Sequence, residues 1–543
     1  MKEKLLFWKT SSWSLSLLLV LPILAILYTA LGNTDDIFTH LFNTVLPIYT
    51  LNTVLLVFGA MFFSLILGVP SAWFMAMCRV PSSSILQWAL VLPLAMPAYI
   101  VGYIYTDWLD FAGPIQVLLR DITGWQSYGD YWFPDIRTLT GAILVMSLVL
   151  YPYVYLLARA AFMEQNISLL QSARLLKCTP WESFKRISLP LARPSIAVAL
   201  SLVAMEALGD FGTVSYFAVN TLTTAVYDTW LGYSNLNAAA KVSAFMLMGI
   251  LLLISGERYS RRKQKMFQEK FNTNEEFQYE LYGWKKWGAF TWCWGLVSIA
   301  FIFPLLQLIS YSFHYFEESW TAEFQEYALN SLYVSSIAAV IAVIIALVVN
   351  FLHRLQPNNK WSVMPMRLAS LGYAVPGTVL AIGVMLPMIG LDHLVNDISK
   401  QLGFGMVGLI FSGSIFALIF ASVTRFSAVA IGSIESNLNK IPPSLDMASR
   451  TLGCGTWSML RRVHFPLIRR GCLIAGLLVF IETMKELNAA LLLRPFNFET
   501  LATYVFNFAS DEQLEIAAMP AVLLVLVGLI PLIIVNRSLE QHH

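Results

Sequence analysis

Four acidic residues lie inside otherwise apolar stretches of this chain, and they come as two matched pairs. Glu206 and Asp210 occur in MEALGDFG (205–212), Glu482 and Glu486 in IETMKELN (481–488). At a spacing of i, i+4 the two acids of a pair are expected on one helix face. Glu206 follows Pro194 by twelve residues, which is about 18 Å of helix and past the middle of a bilayer. Asp210 is expected one turn further out. A carboxylate at that depth costs several kcal/mol unless it is paired or faces water, so it lines a pathway or an interface. Oxygen ligands of this kind suit a hard, highly charged cation, and Glu206 and Glu482 are the candidates for transient metal contact. Other readings stay open: lining the path without ligation, packing or gating in the protonated form, or neutralisation of Glu482 or Glu486 by Lys485.

The elements that must position these acids are legible from composition. Of 543 residues 57% are hydrophobic and only 13% charged, too little charge to cover a soluble protein of this length. The apolar residues fall in runs of about 20, the length that spans hydrocarbon as helix. Six helices are expected near 13–31, 51–77, 86–105, 139–162, 194–218 and 238–255. Six more are expected near 287–310, 329–351, 363–388, 406–427, 471–493 and 516–535. Asn52-Thr53 and Asn330-Ser331 open equivalent helices, and Met96-Pro97-Ala98 corresponds to Val375-Pro376-Gly377. The first run follows Lys2, Lys4 and Lys9 and is too long for a cleaved signal, so it reads as a retained helix.

Between the fourth and fifth helix of each half lies a charged amphipathic segment, QSARLLKCTPWESFKRISLPLARP (171–194) and MASRTLGCGTWSMLRRVHFPLIRR (447–470). Without a gap, Arg174 falls on Arg450, Lys177 on Gly453, Cys178 on Cys454 and Trp181 on Trp457. Lys185 and Arg186 fall on Arg461 and Arg462, Pro190 on Pro466, Glu206 on Glu482 and Asp210 on Glu486. A repeat of this length makes two halves of one fold. One basic loop is explained by the excess of Lys and Arg on the cytoplasmic side. Two loops sharing Arg, Trp, a basic pair and Pro call for more, because an exposed Trp beside Arg is the composition of an interface anchor. A two-fold pair of loops then calls for two copies of a cytoplasmic partner.

Lys and Arg also orient the chain. The stretch 257–286 carries Arg258, Arg261, Arg262, Lys263, Lys265, Lys270, Lys285 and Lys286, whereas 314–327 carries Glu317, Glu318, Glu323 and Glu326 without a Lys or Arg. The expectation is an all-α polytopic membrane protein of two tandem six-helix repeats, twelve transmembrane helices with both termini cytoplasmic. The first domain covers 1–256 with its loop at 163–194. A basic cytoplasmic linker covers 257–286, and the second domain covers 287–543 with its loop at 430–470.

The repeated segment resembles the permease signature of ATP-binding-cassette importers: Glu-Ala-Ala, three residues, Gly, nine residues, Ile, any residue, Leu-Pro. The second copy has Gly453, Val463 and Phe465-Pro466; the first has Lys177, Ile187 and Leu189-Pro190. The triplet has become Gln171-Ser172-Ala173 and Met447-Ala448-Ser449, and at Lys177 a left-handed turn would be disfavoured. Stretches 92–116, 148–165, 210–217 and 491–520 resemble the fused permease of ferric-iron importers, with thiamine permeases the nearest relatives in build. The resemblance implies six-helix permease domains whose repeated loops dock two copies of a cytoplasmic ATPase. Arg174, Lys177, Trp181, Lys185, Arg186 and Pro190 are the docking residues in the first loop. Their counterparts are Arg450, Gly453, Trp457, Arg461, Arg462 and Pro466. It further implies a periplasmic binding protein that delivers ferric iron, ATP-Mg on the ATPase rather than on this chain, and a path along Glu206, Asp210, Glu482 and Glu486. Thiamine or another small solute is the alternative cargo, and an ion-gradient-driven 6+6 transporter the alternative class.

No GxxxxGK[ST], HExxH or GxSxG occurs, so no phosphate cradle or catalytic constellation is expected, no cofactor is expected on this chain, and no nucleic-acid partner is indicated. The seven His are scattered and read as loop residues. Tyr99, Tyr103, Tyr105, Tyr151, Tyr153 and Tyr155 read as anchors at the membrane surface. Cys178 and Cys454 read as structural members of a turn.

Overall fold

The computed structural model describes residues 2–32, 35–165, 167–261, 278–357 and 359–540. Most of the basic linker, including Lys263, Lys265 and Lys270, lies outside the described residues, as do Gln541, His542 and His543. The principal helices are α1 (Lys2–Ala30), α2 (Leu46–Met77), α3 (Ala98–Leu109), α4 (Leu139–Met163), α5 (Leu189–Gly209) and α6 (Leu236–Arg261). The second half supplies α7 (Trp284–His314), α8 (Ala322–Leu355), α9 (Gly377–Gln401), α10 (Ile415–Asn439), α11 (Phe465–Lys485) and α12 (Leu514–Glu540). Among the described residues ten helices are long and apolar enough to cross a membrane. A further pair, Ser83–Ala95 and Ala98–Thr123, is apolar enough when taken together and is bent by 91°, and the apolar stretch Leu514–Ile530 of α12 is shorter.

The departures from the expected helices have local causes. The third helix of each half is interrupted because a proline strips a donor from the ladder and drives the residue before it extended. Met96 before Pro97 has φ −101° and ψ 120°, Val375 before Pro376 φ −87° and ψ 102°. The helix expected from 406 begins at Ile415, capped by Ser414 on the Phe416 N–H. Residues before it include Gly403, Gly405 and Gly408, all with positive φ. Asn52-Thr53 and Asn330-Ser331 lie inside α2 and α8 rather than opening them. Their side chains fasten the loop that follows the broken fifth and eleventh helices. Thr53 Oγ1 accepts the Leu222 N–H at 2.9 Å, and Ser331 Oγ accepts the Leu501 N–H at 2.7 Å.

The chain forms two compact units, each drawing on both halves of the sequence. One comprises Met1–Thr44, Ala225–Leu247 and Trp320–Asn507. Its core joins Leu19 of α1 to Ala338, Ala342, Ala346 and Val349 of α8, Val423, Phe426 and Ala430 of α10, and Ala475 and Val479 of α11. Alanine at these positions lets helix backbones approach, which is how helices associate where lipid removes the hydrophobic drive. Ser16 of α1 donates to the Pro365 carbonyl at 2.7 Å, and Gly383 of α9 has room only for hydrogen against the Pro22 carbonyl. The other unit comprises Val45–Thr224, Met248–Ser319 and Phe508–His543. In it α2 packs along α4, with Gly68 pressed on Val154 and the Tyr151 carbonyl, and α7 attaches through Trp292 Nε1 on Ser71 Oγ at 3.0 Å. Tyr99, Tyr103, Tyr151 and Tyr155 are buried in this unit rather than anchored at a surface; the Tyr155 hydroxyl donates to the Gln87 carbonyl at 3.0 Å. Two-residue strands, Cys78–Arg79 and Tyr279–Glu280, pair in parallel.

Candidate functional site

Helices α5 and α11 both stop inside their expected spans, and in both an acid stands at the stop. Gly209 ends α5 and Asp210 turns extended, φ −70° and ψ 133°; Lys485 ends α11 and Glu486 does the same, φ −65° and ψ 112°. The pairs therefore do not lie on one continuous helix face. Glu206 and Glu482 stay on the last turn of intact helix, half-buried. Asp210 instead caps the next short helix, Gly212–Tyr216: Oδ1 accepts the Thr213 and Val214 N–H groups at 3.0 and 3.2 Å, and Oδ2 the Thr213 hydroxyl at 3.0 Å. Glu486 caps Asn488–Leu493 in the same way, Oε1 accepting the Ala489 N–H at 2.9 Å. A carboxylate on the free N–H groups of a helix start is favourably placed by charge and by hydrogen bonding.

The two breaks differ in charge. Arg425 of α10 holds both oxygens of Glu486 through Nη1, at 2.8 and 2.7 Å. That pair is buried, with side chains 13% and 7% exposed. Lys485, one of the candidates for neutralising Glu482 or Glu486, is not the residue that closes this pair. Gly377 at the start of α9 makes room for it: a β-carbon there would stand 2.6 Å from Arg425 Nη1 and 2.6 Å from Glu486 Oε1. In the equal-length, equally capped helix α4 the position of Arg425 holds Val149. The position of Gly377 holds Ala98, also the first residue after its proline. One half thus has arginine, glycine and glutamate where the other has valine, alanine and aspartate. An arginine in an otherwise apolar helix was the available signal; nothing in the sequence named its partner. Among the described residues no group of three or more His, Cys, Asp or Glu could hold a metal ion.

The repeated segments have one backbone twice. Ile167–Leu175 and Pro443–Thr451 are helical, and each ends in a turn with a left-handed residue, Lys177 at φ 57° and Gly453 at φ 77°. The Cys178 N–H returns to the Ala173 carbonyl and the Cys454 N–H to that of Ser449, both at 3.0 Å, the bond that closes a left-handed helix end. Lys177 therefore adopts the glycine-like conformation its side chain disfavours. Short helices Pro180–Ser183 and Thr456–Met459 follow, then one wide turn in each, Phe184–Ser188 and Leu460–His464, leading into α5 and α11. Pro190 and Pro466 sit at the second position of those helices, just past the wide turns.

Trp181 and Trp457 remain 68% and 61% exposed. Trp181 stacks on Phe184 at 5.3 Å, Trp457 on Trp8 of α1 at 6.0 Å. Lys185, Arg186, Arg450, Arg461 and Arg462 are exposed; of Arg174 only the backbone is among the described parts. The segments are moored by different groups. The first is held by the Tyr279 hydroxyl at 3.0 Å from Ser183 Oγ and by a Thr179–Glu182 capping box. The second is held by a buried network that sequence reading missed: Arg354 Nε donates to Asp446 at 2.7 Å, and His464 Nε2 lies 2.9 Å from the same carboxylate. His464 is fully buried at the root of α11 and is no loop residue. Its isolation in sequence hid this, because Arg354 and Asp446 are distant along the chain.

A repeated membrane helix set, broken at acids and carrying two exposed tryptophan-bearing segments, is the layout of a transport component. Residues 62–265 and 342–542 each match the family described as binding-protein-dependent transport system inner membrane component, and the chain belongs to that family. It is 25% identical over 543 residues, 98% of both chains, to the Fe(3+)-transport system permease protein FbpB 2 of Haemophilus influenzae. It is 21% identical to the ferric transport system permease protein FbpB of Actinobacillus pleuropneumoniae, over 80% of this chain and 63% of that one. Over 36% of this chain and 86% of the other it is 29% identical to the molybdenum transport system permease protein ModB of Escherichia coli. The protein is an ABC importer permease that crosses the inner membrane many times.

Proposed function

We propose that this permease carries ferric iron delivered by a periplasmic binding protein. The observation that carries the reading is the match along 98% of both chains to a permease for Fe(3+). Oxygen ligands at Glu206 and Glu482 give a hard cation passing contact without a closed cage. Two copies of a cytoplasmic ATPase dock on the segments around Trp181 and Trp457. Exposed tryptophan with flanking Lys185, Arg186, Arg461 and Arg462 supports that role. The ATPase binds ATP-Mg; this chain moves the ion and performs no chemistry on it. The excess of Lys and Arg in the linker and in both segments supports a cytoplasmic placement for them and for both termini.

A second reading, an oxyanion cargo, draws on the molybdenum relative. The deciding measurement is uptake of radiolabelled ferric iron or molybdate into proteoliposomes holding this chain, its ATPase and its binding protein. ATP-dependent iron uptake, lost in Glu206→Gln/Glu482→Gln while the ATPase still docks, is the expected result. Molybdate uptake without iron uptake in a complex with active ATPase would overturn the iron reading and leave the permease class intact.

A further inference from the structure

Beside the Arg425–Glu486 pair lies a pocket of about 10 Å³, lined by Ser331, Ser335, Ser422, Thr483, Glu486 and Thr500 together with three apolar side chains. That is room for one water molecule. Two hydroxyls in its wall, Ser335 Oγ and Thr483 Oγ1, are buried and accept or donate no hydrogen bond among the described residues. Ser335 is 1% exposed and Thr483 7%. Serine and threonine inside a helix ordinarily turn onto the carbonyl four residues back. Ser422 does so on Leu418 and Thr424 on Phe420, so the two unpartnered hydroxyls stand out from their neighbours. A buried hydroxyl without a partner is costly to fold.

The internal repeat sharpens the contrast. In the first half the positions of Ser335, Ser422 and Thr483 hold Val57, Met146 and Ala207, all buried. Hydroxyls thus accompany the arginine–glutamate break, and apolar side chains accompany the break at Asp210. We propose that the pocket binds a single water molecule, which bridges the Ser335 and Thr483 hydroxyls to the Glu486 carboxylate. The chemistry selects water over a cation, because the one carboxylate in the wall is already neutralised by Arg425, whose Nη1 holds both of its oxygens. A cation would stand beside Arg425 with no net counter-charge. Water needs two to four polar partners, and the pocket supplies them. This site does not depend on which cargo the permease carries.

The test is a high-resolution structure of the intact transporter, permease with ATPase and binding protein, in lipid nanodiscs, with melting measured in NaCl and in choline chloride. A peak within hydrogen-bond distance of Ser335 Oγ and Thr483 Oγ1 is expected in the native chain. It should be lost in Ser335→Val, whose two methyl groups fill the space, and melting should be the same in the two salts. Should Ser335→Val fail to fold, Ser335→Ala keeps the room and removes one partner, and the peak should weaken or vanish there too. Hydroxyls turned onto their own helices with no peak between them would overturn the proposal. So would a melting temperature that rises with sodium in the native chain and not in Thr483→Val, which would make the site a cation site.

Discussion

Gly377 shows what one hydrogen atom decides. A methyl group at that position would meet the two charged partners Arg425 and Glu486 at 2.6 Å each, and neither can move far without losing the other. Gly377→Ala is therefore expected to part the pair and to destabilise the protein by about 1–3 kcal/mol, the usual range for overpacking, seen as a lower melting temperature in nanodiscs. Arg425→Leu should cost more, about 3–5 kcal/mol, because it leaves a buried carboxylate without its counter-charge. Arg425→Val/Glu486→Asp/Gly377→Ala, which copies the first half's residues, should recover part of that loss; a triple variant no more stable than Arg425→Leu would refute the compensation. At this scale the sequence showed the four acids and their repeat. It placed each pair on one helix face, and it could not show that Asp210 and Glu486 leave the helix to cap its successor. Apolar residues continue on both sides of the break, so no periodicity changes there.

At the scale of elements, the repeated segment was the most legible part of the chain, and Lys177 was its doubtful member. Its φ of 57° beside the 77° of Gly453 shows that the turn is kept although the residue is wrong for it. A left-handed conformation costs a residue with a β-carbon about 1 kcal/mol or more. Lys177→Gly should slow amide exchange in Ile167–Leu175 and raise stability by up to about 1 kcal/mol, whereas Gly453→Lys should do the reverse for Pro443–Thr451. Equal exchange in both variants would mean that the turn does not limit opening. The moorings were illegible because they join distant residues: Tyr279 to Ser183, and Arg354 to Asp446 beside His464. His464→Phe should loosen the second segment and leave the first unchanged, measured as exchange or cysteine labelling near Trp457 against Trp181.

For the whole molecule the sequence showed two halves, and that division follows the repeat. The compact units are cut differently, since Leu19 of the first helix belongs to the core formed by α8, α10 and α11, and Trp8 packs with Phe351, Leu352, Leu355 and Met459. Periodicity and charge describe each helix separately, and nothing in them says which helix covers which. The consequence for stability is direct: residues 287–543 produced alone should aggregate or melt low, and supplying residues 1–44 as a separate chain should restore yield. No effect of the added fragment would refute the coverage.

The same coverage bears on synthesis. Trp8 donates its indole N–H to Thr456 and packs on Phe351, so its partners leave the ribosome long after it does. At about 5–20 residues per second the interval to the end of α11 is roughly twenty to ninety seconds. During it the first helix must wait in the bilayer with Ser12 and Ser16, two hydroxyls later taken up by the Val348 and Pro365 carbonyls. Assembly of this chain is thus timed by its last third, and a stalled or truncated product carries an unclaimed helix at its beginning.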